Sequence, residues 1–79
     1  DRLNWTRPGF SVIDSDGQLL GAVGSVAVDR FELCRPNAAP VWLREGAIAR
    51  VETDDVWLAF RDGEWRRFEC SAPGAPRAS

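Results

Sequence analysis

The sequence predicts an all-β domain, a small antiparallel β-barrel of five to six strands with a short C-terminal helix. Three observations point there. The apolar residues fall in short runs rich in Val, Ile, Phe and Trp, several of them alternating apolar with polar at a period of two. Turn chemistry breaks the chain at Pro8-Gly9, Asp14-Ser15-Asp16-Gly17 and Asp62-Gly63. With 79 residues there is material for one domain with a thin core, in which nearly every large apolar side chain is needed for packing.

Residues 1–9 read as an N-terminal arm, with Trp5 expected to pack back over an open edge. Phe10-Ser11-Val12-Ile13 is the first strand, ended by the Asp14–Gly17 turn, where Asp and Ser bond locally and Gly17 accepts positive φ. Leu19–Val28 is a long second strand, and its glycines at 21 and 24 mark a bulge or a sharp bend. After a turn at Asp29-Arg30, Phe31 and Leu33 fall on one face of the third strand, Glu32 and Cys34 on the other. Pro36–Pro40 is a loop. In the next strand, Val41 and Leu43 point inward and Trp42 outward. Arg44–Ala49 is too short and Gly-broken for more than one helical turn. Arg50-Val51-Glu52 leads into the polar turn Thr53-Asp54-Asp55. Val56, Leu58 and Phe60 then line the inner face of the last clear strand, with Trp57 outside. Asp62-Gly63 suits a hairpin turn, but Trp65 and Phe68 at i, i+3 favour a short helix capped by Asp62. Residues 71–79 are a low-complexity tail expected to be mobile. The domain proper is thus residues 10–70.

Composition excludes most chemistry. There is no His, and the two cysteines, Cys34 and Cys70, have no base to activate them. Two Cys without His make a structural zinc site untenable, so neither metal nor cofactor is expected. A Cys34–Cys70 disulfide would close a loop of about 36 residues, worth about 3–4 kcal/mol if unstrained. Reduced thiols are the preferred reading, since no secretion signal is visible. Asp14/Asp16 and Asp54/Asp55 lie in turns, where carboxylates accept backbone N–H bonds. Asp14-x-Asp16-Gly17 lacks the further oxygen ligands of a calcium loop. No catalytic residue emerges, and the chain is read as a non-enzyme.

Net charge is −2, which makes a poor general binder of phosphate backbones. All 10 basic residues are Arg, from GC-rich coding or from selection for bidentate contacts. No apolar segment is long enough to span a membrane, and a cytoplasmic location is expected.

The stretch Val12-Ile-Asp-Ser-Asp-Gly-Gln-Leu-Leu-Gly-Ala-Val-Gly-Ser-Val-Ala-Val-Asp29 resembles the opening of PRC-barrel domains: an apolar strand, a D-x-D-G-type turn, an apolar pair and Gly, then Val-x-x-Val and a closing Asp. Phe31–Arg35, Ala39–Leu43, Ala47–Val51 and Val56–Leu58 resemble the later strands, so the likeness runs from about Phe10 to Phe68. It is nearest to short, stand-alone, uncharacterised bacterial members that end in a small polar helix like 62–69. Trp42 and the acid-poor loop 36–40 depart from the usual pattern. The resemblance implies a small β-barrel that serves as a docking or assembly module, distantly like the C-terminal domain of the ribosome maturation factor and the reaction-centre H subunit. It implies no catalytic residue.

The candidate site is therefore a protein-binding face. Trp42 and Trp57 fall opposite the core residues of their strands, and Arg30, Arg44 and Arg50 are placed to rim them. An off-by-one register, which would bury the indoles, and cover by the chain's own segments stand as the other readings. The expected partner is a protein or a second copy of the chain. Association with RNA is the alternative, since Arg and exposed Trp can stack bases, although the net charge opposes it.

Overall fold

The structure is a computed structural model that describes residues 2–61 and 63–74. The expected cap at Asp62 and the tail beyond residue 74 lie outside the described residues.

The chain forms β1 (Ser11–Ile13), β2 (Leu19–Val26), β3 (Arg30–Cys34), β4 (Val41–Arg44), β5 (Ile48–Glu52), β6 (Asp55–Leu58) and β7 (Glu69–Cys70), with 3-10 turns at Arg2–Trp5, Glu45–Ala47 and Trp65–Phe68. The all-β expectation holds. The strands form one seven-stranded sheet in the order β5-β6-β1-β2-β3-β4-β7.

The connections force this sheet to curl. β5 and β4 stand five places apart in the order, which in a flat sheet is about 24 Å. The three residues Glu45–Ala47 join them, and from Arg44 to Ile48 such a link reaches at most about 14 Å. The sheet therefore rolls over its apolar face, though among the described residues no ladder joins β5 to β4 or β7. The closed cylinder expected from the alternation is instead a curled open sheet. Its seam holds two of the 3-10 turns: the Ala59 N–H donates to the Ala47 carbonyl (2.9 Å), and a Cβ at Gly46 would stand 3.7 Å from the Phe68 ring.

Three further differences from the sequence reading have identifiable causes. The sheet is mixed, because β1 pairs in parallel with β6 (Ser11↔Asp55, Val12↔Val56, Ile13↔Trp57). It has two strands that alternation did not reveal. In β5 a bulge at Ala49 separates the pairs Ile48↔Leu58 and Arg50↔Trp57, so the inward residues Ile48 and Val51 are three apart rather than two. β7 is two residues long and shows no period at all. The C-terminal helix is a single 3-10 turn that leads at once into β7. Its i, i+3 pair does share a face, as that geometry requires: Trp65 and Phe68 both pack against the core, and Phe68 stacks on Phe60 at 5.0 Å.

The alternation grouped the buried faces correctly: Phe31 and Leu33, Val41 and Leu43, and Val56, Leu58 and Phe60 are all buried, and Val12 joins them. Each fully buried side chain of this size contributes about 1.5–3 kcal/mol of transfer free energy. The N-terminal arm belongs to the same core, but not through the expected residue. Leu3 is buried against it, whereas Trp5 is 70 % exposed. The Arg2–Trp5 turn is too tight to send both side chains inward.

The first hairpin rests on Asp14. This buried carboxylate accepts the N–H groups of Asp16 and Gln18, both at 2.9 Å, and Gly17 takes φ +85°. β2 carries a bulge of the kind its glycines announced and a close approach that they did not. At Gly24 a bulge separates the pairs Val23↔Leu33 and Val26↔Phe31. At Gly21 the backbone of β3 comes so close that a Cβ would run into the Cys34 carbonyl oxygen.

Gly21→Ala therefore forces two adjacent backbones apart. Urea unfolding should show a loss of about 1–3 kcal/mol. Gly9→Ala, where a Cβ would meet open space, carries only the strain of its positive φ and is the control.

Candidate functional site

The outer surface of the sheet holds the five residues singled out from the sequence, in two groups. The first is built on β5 and β6. Trp57 leaves the outer face of β6 half-buried, between Ile13 of β1 and Arg50 of β5, its neighbours across the two ladders. The Ala49 bulge is what turns Arg50 to this face: a regular strand would have sent it inward with Ile48. The Arg50 guanidinium lies over the indole, 4.5 Å from the ring centroid, and its Nε is 3.2 Å from Glu52 Oε1. Such a contact is worth about 0.5–1 kcal/mol at an exposed position. Beside the pair lies a shallow hollow of about 450 Å³, lined by Ser15, Ala49, Arg50, Trp57, Leu58 and Ala59. Little in that lining is charged, so the hollow offers an apolar floor with one cation at its edge.

The second group lies on β3 and β4, separated from the first along the ladder by β1 and β2. Trp42 is half-buried between Glu32 of β3 and Cys70 of β7. Arg30 and Arg44 are opposite each other in the same ladder. Arg30 is committed to the chain itself. Its Nε and Nη2 donate to the two Asp29 carboxylate oxygens (2.8 and 3.0 Å), and its Nη1 donates to the Ser71 carbonyl (2.7 Å). That hydrogen bonding holds the Asp29 carboxyl below its ordinary range. Arg30 thus fastens the β2–β3 turn to the segment after β7. Arg44 is exposed. Neither indole is in the core, and neither is among the exposed large apolar residues, which are Trp5, Leu19 and Val28.

Cys34 and Cys70 are both free. Burial pushes the Cys34 thiol up, and the negative charge and hydrogen bonding of Glu32 push it the same way. Glu32 and Cys34 come together because Gly24 leaves their space open; a Cβ there would collide with the Glu32 carboxylate and stand 2.7 Å from Sγ. Among the described residues no three His, Cys, Asp or Glu side chains gather closely enough to hold a metal, and no helix is long and apolar enough to cross a membrane.

A scan of family models and searches of curated proteins and of solved structures found no match to this chain. The surface is therefore interpreted from its own geometry.

One cluster escaped the sequence reading. Arg35, just past β3, places its guanidinium 4.9 Å from the Trp65 ring centroid, and Arg66 comes within 5.9 Å of the same ring. The i, i+3 spacing of Trp65 and Phe68 signalled that Trp65 sits on a turn, but nothing in the sequence links it to a residue thirty positions earlier.

The Cys34 environment has a measurable consequence. At mildly alkaline pH, Cys34 should react with iodoacetamide more slowly than glutathione does, because less of it is thiolate. Glu32→Gln should speed the reaction by removing the neighbouring charge. Mass spectrometry of the alkylated peptides resolves Cys34 from Cys70, and an unchanged Cys34 rate in the variant would contradict this account.

Proposed function

We propose that the domain is a non-catalytic protein-binding module of PRC-barrel-like architecture, and that the Trp57–Arg50 hollow on β5 and β6 is its docking surface, with a second copy of the chain as the first partner to test. The observation that carries this reading is the arrangement of Trp57. A large indole lies half-covered on an outer face, ordered by a stacked arginine, beside a shallow and mostly apolar hollow. Interfaces draw most of their binding energy from a few such residues, with Trp and Arg over-represented among them. An indole already held by Ile13 and Arg50 loses little side-chain freedom on binding, which favours affinity.

The PRC-barrel-like reading is supported by the curled sheet, the long second strand bulged at glycine and the C-terminal turn packed on the seam. The non-catalytic reading is supported by the raised Cys34 thiol and by Asp14, whose carboxylate is occupied with backbone N–H groups. The RNA reading is weaker. The net charge is −2, and Arg50 lies over the Trp57 ring where a base would stack.

Sedimentation over a wide concentration range tests the proposal. The wild-type chain should self-associate. Trp57→Ala should raise the dissociation constant roughly thirtyfold, equivalent to about 2 kcal/mol, while circular dichroism shows the fold retained. Trp42→Ala should have a smaller effect. A wild-type chain that stays monomeric throughout, or a Trp57→Ala chain that associates equally well, would overturn it.

A further inference from the structure

Among the described arginines, Arg35 stands apart in how it is held. Its Nε–H is buried and has no hydrogen-bond acceptor among the described residues. Among the described residues no carboxylate pairs with it, whereas Arg30, Arg50 and Arg61 each have one. Its guanidinium lies over the Trp65 ring, 4.9 Å from the centroid. On that same ring lies Arg66, a second cation that has no carboxylate among the described residues either. The nearby Glu64 is turned away, with its Oε1 accepting the Arg61 N–H at 3.2 Å.

This is an unusual condition for a cation. Buried donors are almost always satisfied, so an Nε–H with no acceptor among the described residues is open to one from outside the chain. A guanidinium stripped of part of its hydration, stacked on an indole and lacking a counter-ion gains more from an oxyanion than a freely hydrated surface arginine does. Arg35 as a whole is only half-buried, so the rest of its fork is open to solvent. The site is also held in place. Arg35 follows β3 where Gly21 lets two backbones meet, and Trp65 sits on the turn anchored by the Phe60–Phe68 stack.

We propose that Arg35 and Arg66, gathered at the Trp65 ring, form a binding site for an oxyanion, a carboxylate or a phosphate. The site uses none of the residues of the Trp57 hollow, so it stands or falls independently of the docking surface.

The test is a titration of the full chain, followed by the indole N–H resonances of its tryptophans and by the Arg35 Nε–H resonance. The probes are sodium acetate and inorganic phosphate, at constant ionic strength against chloride. The Trp65 and Arg35 signals should move saturably with a millimolar midpoint, while exposed Trp5 stays still. Saturation by acetate alone assigns a carboxylate ligand, and saturation by phosphate alone assigns a phosphate. Arg66→Gln, at an exposed position, should weaken binding severalfold with the fold intact, and Arg35→Gln should abolish it. Should Arg35→Gln fail to fold, Arg35→Lys keeps the charge without the fork and should bind at least several times more weakly. Resonances that stay put up to tens of millimolar of both probes, drift only in step with Trp5, or saturate equally in the variants would overturn the proposal.

Discussion

The parallel pairing of β1 with β6 is the constraint on which the rest of this structure depends. Without it the chain has two pieces that lack a shared core: the β1-β2-β3-β4 meander, and the β5–β6 hairpin. The pairing lays Val12 against Val56, both with no exposed surface, and the Ser11 N–H donates to the Asp54 carbonyl at 2.9 Å. Once it forms, the short link between β4 and β5 leaves the sheet no choice but to roll. Rolling is what gathers Phe31, Leu33, Leu43 and Leu58 into one core. A domain this small has little margin, so a contact that unites its halves weighs more than its own area suggests.

The same pairing shapes the outer surface. The pleat that turns Val12 and Val56 inward turns Ile13 and Trp57 outward side by side, and the Ala49 bulge adds Arg50 on the other flank. The indole is half-covered. A recurring device is visible here. Trp57 and Trp65 each carry a guanidinium over the ring, and in a chain whose basic residues are all Arg these contacts order large apolar groups outside the core. Arg30 shows the other use of the same side chain, a bidentate clamp within the fold. Only the arginines without such a clamp remain free for an outside partner.

What could be read from the sequence follows a clear physical line. Period-two alternation reports which face of a strand is buried, and it placed Val41, Leu43, Val56 and Leu58 inward and Trp42 and Trp57 outward. Gly24 reported a bulge, whereas the close approach at Gly21 left no signal that the sequence reading used. Alternation says nothing of which strands pair, so the parallel ladder and the open seam were not visible. It also fails where a bulge breaks the period, which hid β5, and in a strand of two residues, which hid β7. Trp5 misled because its size suggested burial, while the smaller Leu3 fits the space under the N-terminal turn. The outward placement of Trp42 and Trp57 was legible residue by residue. The division of the candidate residues into two groups depends on strand order, and the Arg35–Trp65 contact on long-range packing; neither leaves a local trace.

Native-state hydrogen exchange tests the central claim most directly. If the β1–β6 ladder unites the domain, the Ser11 amide should exchange only through global unfolding, with the same opening free energy as the amides between β3 and β4. Opening of Ser11 many times faster than those amides, with the meander still protected, would show that the halves part without unfolding, and the account would be wrong.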